Sequence, residues 1–325
     1  MKHLIFATGL LLANQAMAET PILTVYTYDS FASEWGPGPA LKKGFEAECA
    51  CELQFVAAGD GAALLSRLRL EGEGTKADVV VGLDTNLTAA ARDTRLFAEH
   101  GVSAEYALPV AWNDPDFVPF DWGYFAFVGN AGDSMPNNFK DLGESDRRIL
   151  IQDPRSSTPG LGLLLWVKEA YGDDAATIWN GLKDNIVTVT PGWSEAYGMF
   201  LEGEADLVLS YTTSPAYHII AEQDTSKVAL PFDEGHYMQV EVAGLIAGSD
   251  QKDLGSDFLT YLVSDAAQSI LPTTNWMYPA VEPSDGLPAG FDGLITPAKP
   301  LLIAPQDVAV TRDAALEEWR NALSQ

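Results

Sequence analysis

Strand-like and helix-like segments alternate from Leu23 to about Ile220, and this alternation constrains the chain more than any other feature. Strands that lead through a turn into a helix and on to the next strand build parallel sheets covered by helices. Leu23 to Tyr28 (LTVYTY) is rich in β-branched and aromatic residues; the irregular stretch Asp29 to Pro39 and a helical run with Leu41 and Phe45 follow. Glu52 to Val56 leads through Gly59-Asp60-Gly61 into a helix carrying Leu64, Leu65 and Leu68. Asp78 to Leu83 exits at Asp84 into a helical segment from Leu87 to Leu96.

The same unit returns later in the chain. Ile149 to Gln152 exits through Asp153-Pro154-Arg155-Ser156-Ser157-Thr158 into a helix, with Thr158 expected as its N-cap, Pro159 as its first residue and Gly172 as the left-handed residue that closes it. Ile186 to Thr190 exits at Pro191-Gly192 into a helix opened by Ser194, and Asp206 to Tyr211 exits at Thr212-Thr213-Ser214-Pro215 into another. Between and after these runs lie Phe120 to Val128 and Tyr237 to Ala247, long enough to cross between two bodies. The expected fold is therefore α/β with two lobes, each a mostly parallel sheet flanked by helices, joined by crossover strands. Lobe one takes residues 19–119 plus about 241–290, and lobe two takes residues 120–240. The Pro-rich tail and terminal helix in 291–325 have no assigned packing.

The N-terminus carries Lys2 and His3, an apolar run from Leu4 to Ala13 and the small-x-small signature Ala16-Met17-Ala18, which predicts a removable secretory signal over residues 1–18. Asn14 and Gln15 end the run short of the ~20 residues a membrane span needs, and no later segment is long and apolar enough. The remaining length exceeds what one hydrophobic core usually supports, which favours two lobes. Without Lys2 the balance is 18 basic against 46 acidic residues. Such an excess argues against nucleic acid and anionic lipid as partners and is compatible with a cationic ligand, although a solvated acidic surface is the plainer explanation. Cys49 and Cys51 are the only thiols and could be bridged or free. They do not make a metal site, because His100, His218 and His236 lie at no metal-binding spacing.

Ligands of open α/β sheets bind outside the carboxyl ends of the parallel strands. Here those exits offer Tyr28, Asp29, Ser30 and Trp35; Asp60 and Gly61; Asp84; Ser156, Ser157 and Thr158; Trp193; and Tyr211, Ser214 and Tyr217. A single aromatic is ordinarily core, but Trp35, Trp193 and Tyr217, with Trp276 in Asn275-Trp276-Met277-Tyr278-Pro279, sit in turn-rich stretches where a binding role is better expected. Flat π faces suit a planar or cationic ligand. The helix start at Thr158-Pro159-Gly160 and the pair Gly59 and Gly61 suit an anionic group, with ordinary capping as the plainer explanation. Neither is a phosphate-binding P-loop, since no Gly-Lys-Ser/Thr follows. Gly192-Trp193-Ser194-Glu195-Ala196 lacks the last glycine of a nucleophile elbow, and no carboxylate pair stands out as acid and base.

The stretches TVYTYDSFASEWGPGP (24–39), KADVVVGLD (76–84), QDPRSSTPGLGLLLW (152–166), GWSEAYGMFLEGEADLVLSYTTSPAYH (192–218) and NWMYP (275–279) resemble the periplasmic thiamine-binding proteins of bacterial ABC importers. The likeness runs over nearly the whole chain after the signal and weakens in 131–147 and beyond about Pro283. It implies a type II periplasmic-binding fold, a cargo of thiamine or its phosphate esters, no cofactor, no catalysis, and delivery to an inner-membrane permease by a monomer free in the periplasm. Carried across by residue, the aromatic walls fall on Tyr28, Trp35, Trp193, Tyr211, Tyr217 and Trp276, and the polar contacts on Asp60, Gly61, Ser157, Thr158 and Ser214. Two rivals share the fold: a carrier for a polyamine or ferric iron, and a thiamine-degrading transferase. The transferase needs a thiolate in the cleft, whereas Cys49 and Cys51 precede a strand and are expected at its far end.

Overall fold

The computed structural model describes residues 20–324, so the expected signal at 1–18 lies outside the described residues. Twelve strands form one hydrogen-bonded assembly. They are β1 (Ile22–Thr27), β2 (Glu52–Ala57), β3 (Val79–Asp84), β4 (Phe97–Ala98), β5 (Phe117–Asn130), β6 (Ile149–Gln152), β7 (Ile186–Thr190), β8 (Leu207–Tyr211), β9 (Lys227–Ala229), β10 (His236–Ile246), β11 (Tyr278–Pro279) and β12 (Pro300–Leu301). The main path runs β2-β1-β3-β10-β5-β8-β6-β7. Its two flanks, β2-β1-β3 and β8-β6-β7, are parallel, and the two long strands between them are antiparallel to each other and to the flanks. The parallel flanks are those expected from the alternation, and the two long segments expected to cross between lobes join them as central antiparallel strands in one continuous sheet.

β5 and β10 are long because each serves both flanks. β5 pairs with β10 through residues from Phe117 to Tyr124 and with β8 from Phe125 to Val128. β10 pairs with β5 from Met238 and with β3 from Glu241 onward. Strands buried on both faces lose the apolar-polar alternation, and every residue of β10 is buried. The last residues of the flanking strands meet the middles of the long ones: Asp84 of β3 lies opposite Glu241, and Tyr211 of β8 lies opposite Phe125. Both sets of strand exits therefore converge on one place.

Helices cover both faces of the flanks. The helix Thr158–Tyr171 packs against β5 so closely that a Cβ at Gly162 would enter the Phe125 ring. The terminal helix runs Pro305–Leu323, earlier than the predicted start near Ala314, with Pro305 in its first turn where the missing N–H costs nothing. It buries Val308, Ala315, Trp319 and Ala322 and packs on the helices Thr158–Tyr171 and Ala175–Leu182, with Lys168 Nζ 2.7 Å from Glu318 Oε1. That supplies the packing the sequence left open.

Three local expectations are corrected. Ser157, not Thr158, occupies the N-cap position of its helix, in extended geometry, and its hydroxyl is turned away from the helix to serve another partner. The next helix begins at Trp193 behind Gly192 rather than at Ser194, and its first amide, that of Trp193, finds a partner outside the helix. The segment after β3 is helical only over Thr88–Arg92. Gly172 does close its helix at positive φ. Cys49 and Cys51 are joined by a disulfide at the start of β2, at the end of the strand remote from the exits.

Candidate functional site

A cavity of about 530 Å³ opens where the strand exits converge, within the range for small-molecule sites. Tyr28, Trp35, Asp60, Gly61, Thr158, Trp193, Tyr211, Ser214, Tyr217 and Trp276 all line it. The eleventh predicted residue, Ser157, does not. It is fully buried behind the wall, where its Oγ donates to Asp60 Oδ2 at 2.7 Å.

Asp60 joins the two flanks of the sheet. It precedes the helix Gly61–Glu71 on one side and accepts from Ser157 and from the Trp193 amide at 3.0 Å on the other. The Ala63 amide donates to the Ser156 carbonyl at 3.0 Å beside it. Gly61 allows this approach: a Cβ there would lie 2.5 Å from Thr158 Oγ1 and 2.7 Å from the Gly82 carbonyl. Two helix N-termini thus point at the same end of the cavity, where their dipoles favour negative charge. Burial pushes the Asp60 carboxyl up to about 6, against the pull of its two hydrogen bonds.

The aromatic walls form two groups. Trp35, exposed at the rim, tilts toward Trp193 at 6.2 Å, and Trp193 stacks on Tyr197 at 4.9 Å. Trp193 Nε1 donates to Ser210 Oγ, which bonds Ser214 Oγ at 2.7 Å, so Ser214 helps fix that wall. In the second group, Tyr217 and Trp276 meet edge to face at 5.3 Å. Trp276 is held at φ 57, a conformation that costs a bulky residue energy and that clusters at ligand clamps.

The floor contains residues that the strand-exit rule passed over. Glu241 and Asn275 line the cavity. The Tyr28 hydroxyl donates to Glu241 Oε2 at 2.8 Å, Gln239 Nε2 donates to Glu241 Oε1 at 2.8 Å, and Asn275 Nδ2 donates to Asp121 Oδ2 at 2.6 Å. The signal was a charge inside an otherwise apolar and buried strand, HYMQVEVAGLI, where an acid is costly without a function. His218 was also underrated, since it pairs with Glu222 four residues on. Its Nδ1 lies 2.7 Å from Glu222 Oε2 and its Nε2 lies 2.9 Å from the Tyr197 hydroxyl, while Glu222 Oε1 accepts from Tyr217. With both ring nitrogens engaged, that cluster braces Tyr197 and Tyr217 from behind.

A cleft between two parallel half-sheets, closed by contacts across it and walled by rings and a few polar groups, defines a protein that captures small molecules. Comparison with known proteins makes the class specific. Residues 24–274 match the family model of the bacterial extracellular solute-binding proteins, and the chain belongs to that family. It is similar to the thiamine-binding periplasmic protein of Escherichia coli K12, with 55% identity covering 97% of this chain and 98% of that one. The thiamine-binding periplasmic protein of Brucella melitensis is 50% identical over 93% of this chain and 92% of its own. A solved periplasmic thiamin binding protein superposes with a TM-score of 0.92 at 54% identity, covering 98% of this chain and all of that one. A ferric binding protein from Campylobacter jejuni, at 17% identity and a TM-score of 0.73, shares the fold, with 92% of this chain and 99% of that one aligned. The fold is the type II periplasmic-binding one, and the family consists of binding proteins, not enzymes, that carry no cofactor.

Proposed function

We propose that this chain captures thiamine, or a thiamine phosphate, in the interlobe slot and delivers it to the permease of an ABC importer. The observation that carries this is the pairing of aromatic walls with buried acids on one cavity of about 530 Å³. Thiamine has a flat aminopyrimidine, a permanently charged thiazolium and a hydroxyethyl arm that can carry phosphate. Each has a complementary wall. Tyr217 and Trp276 grip the ring system, Asp60 and the floor face the positive charge, and Thr158 and Gly61 at the paired helix N-termini receive the hydroxyethyl or phosphate end. Ser157 acts through Asp60.

In this proposal residues 1–18 are removed on export and the mature chain works as a periplasmic monomer. Its lobes are residues 19–119 with about 241–290, and residues 120–240, hinged on β5 and β10. No helix among the described residues is long and apolar enough to cross a membrane. A transferase reading finds no support, since both thiols are bonded to each other at the remote end of β2. A thermal-shift panel of thiamine, its mono- and diphosphate, spermidine and ferric salts tests the cargo. A ligand at a hundred times its Kd adds about 2.7 kcal/mol of stability, so thiamine or an ester should raise the Tm by several degrees. A shift with spermidine or iron alone would refute the proposal.

A further inference from the structure

Glu241 lies at the junction of the two half-sheets. Asp121 on β5 and Asp84 on β3 are its direct cross-strand neighbours, which puts three carboxyl groups in a row across β5, β10 and β3. Asp84 and Asp121 are fully buried and Glu241 is 6% exposed. Like charges placed directly opposite on a sheet are destabilising, and buried acids ordinarily have a basic partner. Here none does: no salt bridge among the described residues reaches Asp60, Asp84, Asp121 or Glu241. The row is instead stitched by neutral donors. Tyr28 and Gln239 donate to Glu241, the Tyr211 hydroxyl donates to Gln239 Oε1 at 3.0 Å, and Asn275 links the Tyr28 hydroxyl to Asp121. Of the row, Glu241 alone lines the cavity.

We infer that Glu241 determines specificity for a cargo with a permanent positive charge, serving as the anionic floor on which an organic cation sits. A positive ring supplies the charge that this cluster lacks, and the aromatic walls exclude a hydrated metal ion from the same place. The groups facing Glu241 are Tyr28 beyond β1, Asp84 at the end of β3, Asp121 on β5, Tyr211 at the end of β8 and Asp60 ahead of its helix. All are acids or phenols. Before cargo enters, burial and then the nearby Asp121 raise the Glu241 carboxyl well above the usual carboxylate range, a shift that favours the protonated form. Cargo entry breaks that O–H bond, the proton leaves for solvent, and the carboxylate stays against the cation. One positive charge enters and one departs.

Resting on the cargo proposed above, the test uses titration calorimetry with thiamine and with its ring-reduced tetrahydro derivative, which keeps both rings and has no fixed charge. Each is measured in two buffers of different ionisation enthalpy, on the full mature chain and on E241Q. The wild type should prefer thiamine and release up to one proton per cargo at neutral pH. E241Q should lose roughly 30-fold in thiamine affinity, as expected when one side of a buried charge contact is removed. It should keep its affinity for the neutral derivative and release less proton. Affinity for thiamine within about twofold of wild type in E241Q overturns the inference. So does wild-type binding without proton release anywhere from about pH 6 to 8, and this readout needs no variant. A wild-type chain silent toward thiamine refutes the proposed cargo itself, which separates the two failures.

Discussion

Replacing Asp60 by asparagine removes a buried acid whose partners are one hydroxyl and one amide, with no base. Its carboxyl moves from the usual 3.8 to about 6, chiefly by burial, with Glu195 and Asp29 adding to the rise. A rise of that size, at 1.36 kcal/mol per pKa unit, corresponds to about 3 kcal/mol. The sign follows from proton counting. The folded chain holds a proton on Asp60 that the unfolded chain has already released, so stability falls as pH climbs between the two values. The contribution is fully present below 3.8 and gone once pH passes about 6. An amide side chain at this position is neutral throughout. In guanidinium unfolding without cargo, D60N and wild type should match near pH 4, and D60N should be the more stable by about 3 kcal/mol at pH 7.5. A difference that stays flat with pH to within about 0.5 kcal/mol would refute the assignment of an uncompensated acid at this position.

Three further outcomes are expected. Trp276→Ala should weaken thiamine binding by about 2 kcal/mol, the worth of a desolvated aromatic anchor, and unchanged affinity by calorimetry would remove Trp276 from the site. Gly61→Ala puts a Cβ 2.5 Å from Thr158 Oγ1 and 2.7 Å from the Gly82 carbonyl, so the flanks must part; affinity should fall by roughly tenfold or more, the equivalent of about 1–3 kcal/mol of overpacking, and a variant that binds normally would deny that the contact matters to closure. Cys49→Ser with Cys51→Ser opens a bridge enclosing one residue; it should cost less than about 2 kcal/mol in denaturant unfolding and leave thiamine affinity unchanged, whereas lost binding would tie β2 to the slot.

What could be read from the sequence was local. β6 and β7 fall on the predicted residues because short β-rich runs between turn signals carry their own boundaries. The strand-exit rule found half of the cavity residues because it depends only on where parallel strands end. Ser157 was misplaced for the opposite reason. A serine beside a strand exit is expected to face the ligand, and only the fold brings its hydroxyl to Asp60, 97 positions away in sequence. The start of the terminal helix was missed because its first turns, from Pro305, hold few core-facing residues and only the contact of Val308 announces them. Glu241 shows in the sequence only as a lone acid in an apolar crossover strand, since its neighbours Asp84 and Asp121 arrive from distant parts of the chain through strand pairing.

The fold without cargo is least comfortable at the acids in and around the slot. Asp60, Asp84, Asp121 and Glu241 are buried acids, and the basic side chains that form salt bridges among the described residues do so with other acids. Asp84 is raised to about 7 and Asp121 to about 8 by burial, so the cluster grows more costly as pH rises through neutrality. Ordinary stability would favour amides at these positions. A capture protein gains from keeping acids, because a cation that neutralises them recovers stability the unliganded chain forgoes, and that recovery appears as affinity. The strained Trp276 adds to the same logic, since a ring held at positive φ over the slot is tolerated only where its position matters more than its conformational cost. With the cargo proposed above, the slot is a site where folding energy is withheld until a flat positive ring arrives.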